Sequence, residues 1–152
     1  MIRSARDPDA GTLVALINRA FLVERFFIDH DRIDLAGAEQ FLRKGAFLIA
    51  EEDGQPVGCV YVEVRGERGY FGLLSVDPAR QGSGLGKGLI AAAEDYCHEA
   101  GCVFMDLQIV NLREELPEFY RKLGYEETGT APFPPDIVTK LPCHFVKMSK
   151  LL

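Results

Sequence analysis

Residues 73–87 read LLSVDPARQGSGLGK, an apolar run followed by a glycine-rich turn and the start of an amphipathic segment. Gly82, Gly84 and Gly86 allow the chain to turn sharply and let a ligand approach the main chain. Backbone N–H groups at a helix N-terminus have no partner within the helix, and the helix dipole favours a negative charge there. The stretch therefore predicts a strand, a turn and a helix. A phosphate or pyrophosphate site is one interpretation of the turn, and an ordinary strand-to-helix connection is the other.

The apolar pattern of the rest of the chain predicts further helices and strands. Helical spacing indicates helices over residues 7–22, 38–43, 85–100 and 114–123, the first capped by Asp7 and the last beginning late because of Pro117. Apolar runs indicate strands over residues 46–51, 57–64, 70–76, 103–110, 125–130 and 144–148. The first three strands are joined by tight turns and form an antiparallel meander. A strand-rich first half and an alternating second half predict a mixed α/β sheet.

Composition excludes several classes of function. The chain has 152 residues, of which 47% are hydrophobic and 26% charged, as is usual for one globular domain. Its formal charge of −6 argues against nucleic acid as the main partner, because that binding depends on clustered Lys and Arg. The N-terminus lacks the apolar run of a signal peptide, and no stretch is apolar enough to span a membrane. We therefore expect a cytoplasmic protein without a membrane partner.

Cysteine and histidine usage gives no indication of a metal. Cys59, Cys97, Cys102 and Cys143 show no C-x-x-C spacing, and three of them lie in apolar patterns where reduced cysteine packs as a small hydrophobe. The three histidines are scattered along the chain. We predict no metal site.

The order of elements and two motifs resemble the GNAT superfamily of acyl-CoA-dependent N-acetyltransferases over nearly the whole chain. The family pattern of Gln or Arg, two residues, Gly, one residue, and Gly or Ala corresponds to Gln81, Gly84 and Gly86. A second likeness, FYRKLGY at residues 119–125, resembles the family's C-terminal helix and its exit into the next strand. The resemblance implies a single acetyltransferase domain over residues 1–152, with a mixed, mostly antiparallel sheet of about seven strands flanked by about four helices. A dinucleotide-binding fold fits less well, because it needs parallel strands before the turn.

The resemblance also implies acetyl-CoA as co-substrate, coenzyme A as product, and no metal. The N–H groups of the turn would hold the pyrophosphate, with Arg80 or Lys87 adding charge, and the strand before the turn would pair with the pantetheine arm. The implied cofactor-binding residues are Leu74, Val76, Gln81, Gly82, Ser83, Gly84, Leu85, Gly86, Lys87 and Asn111. Asn111 has a second interpretation of equal weight, as a residue of a plain turn at the strand end. The reason is that an insertion at residues 112–115 lengthens its separation from the second motif.

Acetyl transfer to an amine needs a neutral nucleophile, a polarised thioester carbonyl and a proton for the departing thiolate. Tyr120 matches the family's tyrosine, whose hydroxyl donates that proton or hydrogen-bonds the thiolate; its alternative role is apolar packing. A backbone N–H near Leu74 or Ser75 would polarise the carbonyl. Residues 70–72 lack the carboxylate that many relatives place there. Glu63 on the neighbouring strand is therefore the first candidate for the general base, and His144 is the second. A chain of water molecules that carries the proton away is an equal alternative.

Acceptor recognition in the family comes from the loop after the first helix and from the connection between the last two strands, here residues 24–34 and 130–141. The candidate acceptor contacts are Glu24, Arg25, Gln108 and His144. The resemblance implies the amine of a small molecule or peptide as acceptor and leaves a homodimer open. No cysteine stands out as a nucleophile, so we expect direct attack in a ternary complex. A non-catalytic module that binds or senses acyl-CoA is the alternative.

Overall fold

The computed structural model describes all 152 residues and contains seven strands and four α-helices. The helices are α1 (Ala10–Ala20), α2 (Leu35–Lys44), α3 (Leu85–Glu99) and α4 (Leu116–Arg121). The strands are β1 (Ile2–Ser4), β2 (Ala46–Glu52), β3 (Gln55–Arg65), β4 (Arg68–Val76), β5 (Phe104–Val110), β6 (Glu126–Pro132) and β7 (His144–Leu151). The predicted sheet of about seven strands with about four helices is confirmed. No helix has both the length and the apolar character to cross a membrane.

All seven strands belong to one sheet, in the order β1-β2-β3-β4-β5-β7-β6. Every neighbouring pair is antiparallel except β4 and β5, which are parallel. The β4–β5 pairing covers only Arg68 to Tyr70 against Phe104 to Asp106. Beyond this point the two strands separate, and a cleft opens in the middle of the sheet.

Two apolar layers cover the two faces of the sheet. On one face α1 and α2 pack through Leu13, Ile17 and Ala38. On the other face α3 and α4 pack through residues such as Leu89 and Tyr120. Side chains alternate along β3, and this decides which of them face which layer: Val60 and Val62 pack with α3, whereas Cys59 and Tyr61 pack with α1 and α2. Both faces are thus buried, which fixes the register of the central strands.

A bulge interrupts β4 at Leu73 and Leu74. Tyr61 pairs with Gly72 and Cys59 with Ser75, so two residues of β4 lie opposite one residue of β3. Leu73 adopts the left-handed conformation with φ 53°, which is uncommon for a residue other than glycine. The bulge reverses the alternation along the strand and turns its second half away from β5.

The N-terminal segment differs from the predicted long helix. Asp7–Asp9 forms a 3₁₀ turn, α1 begins at Ala10, and Phe21–Glu24 forms a second 3₁₀ turn. The predicted cap, Asp7, is exposed, and it is Asp9 that accepts hydrogen bonds from the Arg6 N–H and the Arg3 guanidinium. The prediction of Asp7 as N-cap was therefore wrong, because the carboxylate two residues later can reach both donors.

Candidate active site

The cleft between β4 and β5 has a volume of about 1330 Å³. The separated edges of the two strands form its walls, and the glycine-rich turn, α4 and the loop after α1 close its ends. Leu74 and Val76 lie on the β4 edge, where no strand pairs with them on the cleft side. An extended chain could therefore add itself to this edge through main-chain hydrogen bonds.

The glycine-rich turn forms a cradle of backbone donors at one end of the cleft, and residues 80–87 all line it. Gly82 and Gly84 have φ values of 84° and 85°, a conformation that glycine adopts without strain, and a Cβ at either position would meet no atom within 4 Å. The N–H groups of residues 81–87 donate to no acceptor in the chain. Seven free donors at the N-terminus of α3 suit a pyrophosphate, so the residues present fit coenzyme A.

Two cations flank this cradle. Arg80 is paired with Glu52 at 2.7 Å, whereas Lys87 is exposed and has no carboxylate within ion-pair distance. Ser83 donates its hydroxyl to the carbonyl of Arg80, which holds the turn in shape. Lys87 is consequently the cation that is free to approach a bound phosphate.

Tyr120 lies on α4 and lines the cleft. It is 5% exposed, and its ring packs against Phe71, Phe119 and Tyr125. Its hydroxyl makes no hydrogen bond within the chain, yet no fully buried side-chain polar atom lacks a partner, so the hydroxyl must reach the cleft. Burial raises the pKa of Tyr120 to about 12, although the Arg113 cation opposes the rise. Tyr120 thus keeps its proton at neutral pH and presents it to the cleft.

A partly buried ion pair stands near Tyr120. Arg113 donates from Nη1 to Oε2 of Glu24 at 3.1 Å, and the two side chains are 17% and 13% exposed. Burial raises the pKa of Glu24 above its ordinary value of 4.5, and the nearby Arg113 charge opposes this rise. The second oxygen of Glu24, Oε1, accepts no hydrogen bond from the chain and reaches the cleft, which Glu24 lines.

Hydrogen bonds join the loop after α1 to the β6–β7 connection. The N–H of Lys140, in the β6–β7 connection, donates to the carbonyl of Phe27, and its Nζ donates to the carbonyl of Arg25. The Lys140 ammonium also lies 3.7 Å from Asp29. The two loops predicted to recognise the acceptor therefore touch each other. We call the part of the cleft that these two loops line, through residues such as Glu24 and Phe133, the acceptor arm.

The structure brings together most of the predicted site residues. Tyr120, Glu24, Arg25, Gln108, Leu74, Val76 and residues 81–87 all line the cleft, whereas Glu63, Asn111 and His144 do not. Arg113 and Lys140 were not predicted. No sequence signal could have identified their roles, because Arg113 and Glu24 lie 89 residues apart.

The three residues outside the cleft lining are engaged elsewhere. The carboxylate of Glu63 accepts from the Tyr61 hydroxyl and pairs with Arg65. Burial alone would raise the pKa of Glu63, but these two partners hold it below the ordinary value. Asn111 accepts the N–H of His144 on its side-chain oxygen at 2.8 Å and donates its own N–H to the carbonyl of His144. This pair closes the end of the β5–β7 ladder, which is the strand-end role left open for Asn111.

Comparison with known proteins identifies one family. The model of the acetyltransferase (GNAT) domain matches residues 43–127. An uncharacterized N-acetyltransferase of Bacillus subtilis, YhfO, is 31% identical over 138 residues, which cover 83% of this chain and 89% of YhfO.

Solved structures share the fold at lower identity. The ribosomal-protein-alanine N-acetyltransferase of Brucella melitensis superposes with a TM-score of 0.79 at 22% identity, covering 100% of this chain and 99% of that one. The acetyltransferase yncA of Salmonella typhimurium, whose structure holds acetyl-CoA, gives a TM-score of 0.76 at 24% identity, covering 100% and 93%.

Proposed function

Since the chain belongs to the GNAT superfamily of acetyltransferases, we propose that it transfers an acetyl group from acetyl-CoA to a primary amine by direct attack in a ternary complex. One observation carries the proposal: a cradle of free backbone donors and a protonated, unbonded tyrosine hydroxyl face the same cleft, with a partly buried carboxylate beyond them. The expectation of a cytoplasmic location belongs to the same proposal, and a homodimer stays a prediction.

The cradle and the β4 edge would hold the co-substrate. Acetyl-CoA supplies an acetyl thioester whose leaving group is a thiolate. The N–H groups of residues 81–87 would bind its pyrophosphate, with Lys87 as the nearby cation, and the unpaired edge at Leu74 and Val76 would hydrogen-bond its extended arm.

Tyr120 would act as the general acid. Its hydroxyl holds a proton at neutral pH and has no partner in the chain that competes for it. As the bond between the acyl carbon and sulfur breaks, this proton would pass to the sulfur. The bond that forms joins the amine nitrogen to the acyl carbon.

Glu24 would accept the proton that the amine loses. Its free oxygen faces the acceptor arm, and burial brings its pKa closer to neutrality than that of an exposed glutamate. Arg113 pairs with Glu24, and its charge also lowers the pKa of Tyr120. One cation therefore lies close enough to affect both the proposed acid and the proposed base. Glu63 and His144 are less suited, because neither lines the cleft.

Direct attack is favoured over a covalent acyl-enzyme. Cys59, Cys97, Cys102 and Cys143 are all free thiols, but none of them lines the cleft. Burial raises the pKa of Cys59 and of Cys97 to about 12, which suppresses the thiolate that a nucleophile requires. The alternative of a non-catalytic acyl-CoA sensor would leave the Tyr120 hydroxyl and the Glu24 carboxylate without a role.

Calorimetric titration with acetyl-CoA and with CoA, followed by a thiol-release screen over pooled amines, tests the proposal. We expect both nucleotides to bind and at least one amine pool to release thiol. Binding without thiol release from any pool would overturn the enzymatic assignment, and no binding at all would overturn the cofactor site.

A further inference from the structure

One arginine of the cleft has no carboxylate partner. Four arginines line the cleft, and three of them are paired: Arg25 with Asp31 at 2.8 Å, Arg80 with Glu52 at 2.7 Å and Arg113 with Glu24 at 3.1 Å. Arg32 makes no ion pair and no side-chain hydrogen bond. Its five N–H donors are consequently free for a ligand.

The backbone that directly follows Arg32 is anchored. Asn18 on α1 clamps Ile33, since its side chain donates to the Ile33 carbonyl at 2.9 Å and accepts the Ile33 N–H at 3.0 Å. Asp34 caps α2 by accepting the N–H of Gly37 at 2.7 Å. Arg32 therefore projects from a fixed stretch of chain, and ordering it around a ligand costs less entropy than ordering a residue on a free loop.

The Arg32 guanidinium belongs to the acceptor arm. It lies 5.6 Å from the centre of the Phe21 ring, which also lines the cleft. Its charge opposes the burial-driven rise in the pKa of Glu24, as does the closer charge of Arg113. The acceptor arm thus contains a guanidinium without an ion-pair partner, that of Arg32, and a carboxylate oxygen without a hydrogen bond, Oε1 of Glu24.

The lining of the cleft is otherwise largely apolar. Its aromatic and aliphatic wall consists of Phe21, Ile28, Phe41, Phe133, Ile137 and Phe145. An apolar wall beside the two charged groups suits a molecule that carries an apolar body.

We propose that the acceptor is a small amino carboxylic acid with an apolar body, such as an apolar amino acid, whose carboxylate binds Arg32 while its amine lies beside Glu24. A guanidinium binds a carboxylate through paired hydrogen bonds, and the opposite charges of the arm orient a molecule that carries an amine and a carboxylate. This inference rests on the proposed function and narrows its acceptor from amines in general to one class.

Matched pairs of substrates test this inference. L-phenylalanine, L-leucine and L-methionine would each be compared with the corresponding amide in the acetyl-CoA thiol-release assay, with rates corrected for the fraction of neutral amine. The amide keeps the amine and the apolar body and removes only the negative charge. The same panel would be run on Arg32→Gln, on Arg32→Lys and on Arg43→Gln, a control at an exposed, unpaired arginine of α2 outside the cleft.

In the wild-type protein we expect kcat/KM for at least one amino acid to exceed that for its amide by roughly 10- to 100-fold, the usual range for a charge-assisted contact. Arg32→Gln should abolish this preference by lowering the rate for the acid alone, Arg32→Lys should restore part of it, and Arg43→Gln should leave it intact.

Equal rates for acid and amide in the wild type, or an equal loss for both in Arg32→Gln, would overturn the inference while the acetyltransferase function stands. Thiol release only with amines that lack a carboxylate would do the same. If acetyl-CoA binds and no amine of any class releases thiol, the proposed function fails and the inference fails with it.

Discussion

Arg113 Nη1 lies 3.1 Å from Oε2 of Glu24, and this contact joins the loop before α4 to the 3₁₀ turn after α1. The two segments carry Tyr120 on one side of the cleft and the acceptor arm on the other. The Arg113 charge lowers the pKa of both groups, which favours the ionised form of Glu24 and makes loss of the Tyr120 proton slightly easier. Burial outweighs this charge in both cases, so both pKa values stay above their ordinary values. The insertion that lengthens the segment before α4 thus supplies the ion-pair partner of Glu24.

The first prediction concerns the pH dependence that this pair creates. A base works only when ionised, so the raised pKa of Glu24 places the acid limb of kcat/KM at a higher pH than an exposed glutamate would. Glu24→Gln should lower kcat by about 10²-fold or more and abolish this limb. Arg113→Gln should move the limb to still higher pH, because the charge that lowers the pKa of Glu24 is gone.

Arg113→Lys, which keeps the charge, should return the limb most of the way towards that of the wild type. Arg121→Gln serves as the control, since Arg121 is an ion-paired arginine on α4 outside the cleft. A pH–rate profile of Arg113→Gln that coincides with that of the wild type would contradict the assignment of Glu24 as base. Thermal denaturation of each variant separates this effect from loss of fold.

The second prediction concerns Tyr120. Tyr120→Phe should lower kcat by about 10²-fold and leave the affinity for CoA and the stability nearly unchanged, because the hydroxyl makes no hydrogen bond in the folded chain. With a pKa of about 12 the wild-type tyrosine stays protonated below pH 10, so it should cause no alkaline limb between pH 7 and 10.

Tyr96→Phe, at a tyrosine 38% exposed on α3, is the matched control and should retain full activity. Steady-state rates from pH 6 to 10 check both expectations. Unchanged turnover of Tyr120→Phe across this range would remove the tyrosine from the mechanism.

The order of elements could be predicted because each strand and helix leaves a local pattern. The alternation in residues 57–64 placed Val60 and Tyr61 on opposite faces, as the structure has them, and the glycine-rich turn marked the start of α3. The three residues of β1 were not predicted, because so short a strand depends on its pairing with β2 rather than on periodicity.

The chemistry of the acceptor arm could not be predicted in the same way. The bulge at Leu73 depends on register with β3, and its left-handed position is occupied by leucine rather than by a glycine that would mark it. Glu63 lies on the strand next to β4, but the alternation of β3 directs its side chain towards Tyr61 and Arg65 instead of the cleft. Ion pairs between residues far apart in sequence, such as Glu24 and Arg113, arise only when the sheet brings the loops together.

The third prediction separates two glycines near the cofactor cradle. Gly84 has φ 85°, whereas Gly88 lies in α3 outside the cleft lining, and an added Cβ at either position would meet no atom within 4 Å. Gly84→Ala should therefore strain the turn by about 1 kcal/mol and raise the dissociation constant for CoA about fivefold or more. Gly88→Ala should leave CoA binding unchanged and stabilise the helix by about 0.5–1 kcal/mol. Calorimetry and urea unfolding measure the two effects, and equal CoA affinities for the two variants would contradict the cradle.

The fourth prediction concerns stability at low pH. The carboxylate of Asp9 accepts both Nη groups of Arg3 at 2.9 Å and the N–H of Arg6 at 2.8 Å, tying β1 to the turn before α1. The hydrogen bonds from Arg3, with that from Arg6, lower the pKa of Asp9 to about 2. A carboxylate whose pKa is lower in the folded than in the unfolded chain stabilises the fold above its unfolded pKa, and this stabilisation is lost as the pH falls through the folded value.

Asp9→Asn should consequently lower the free energy of unfolding by about 1 kcal/mol at pH 7, a value reduced from the full pKa shift because solvent screens a pair near the surface. The difference between variant and wild type should narrow as the pH falls from about 4 to about 2, since the wild-type carboxylate then becomes protonated as well. Asp7→Asn, at an exposed carboxylate without a side-chain partner, controls for the general effect of removing an acidic residue from this turn. Urea unfolding of the three proteins at pH 7, 4 and 3 gives the comparison, and a difference that stays constant with pH would show that Asp9 contributes through packing rather than through its charge.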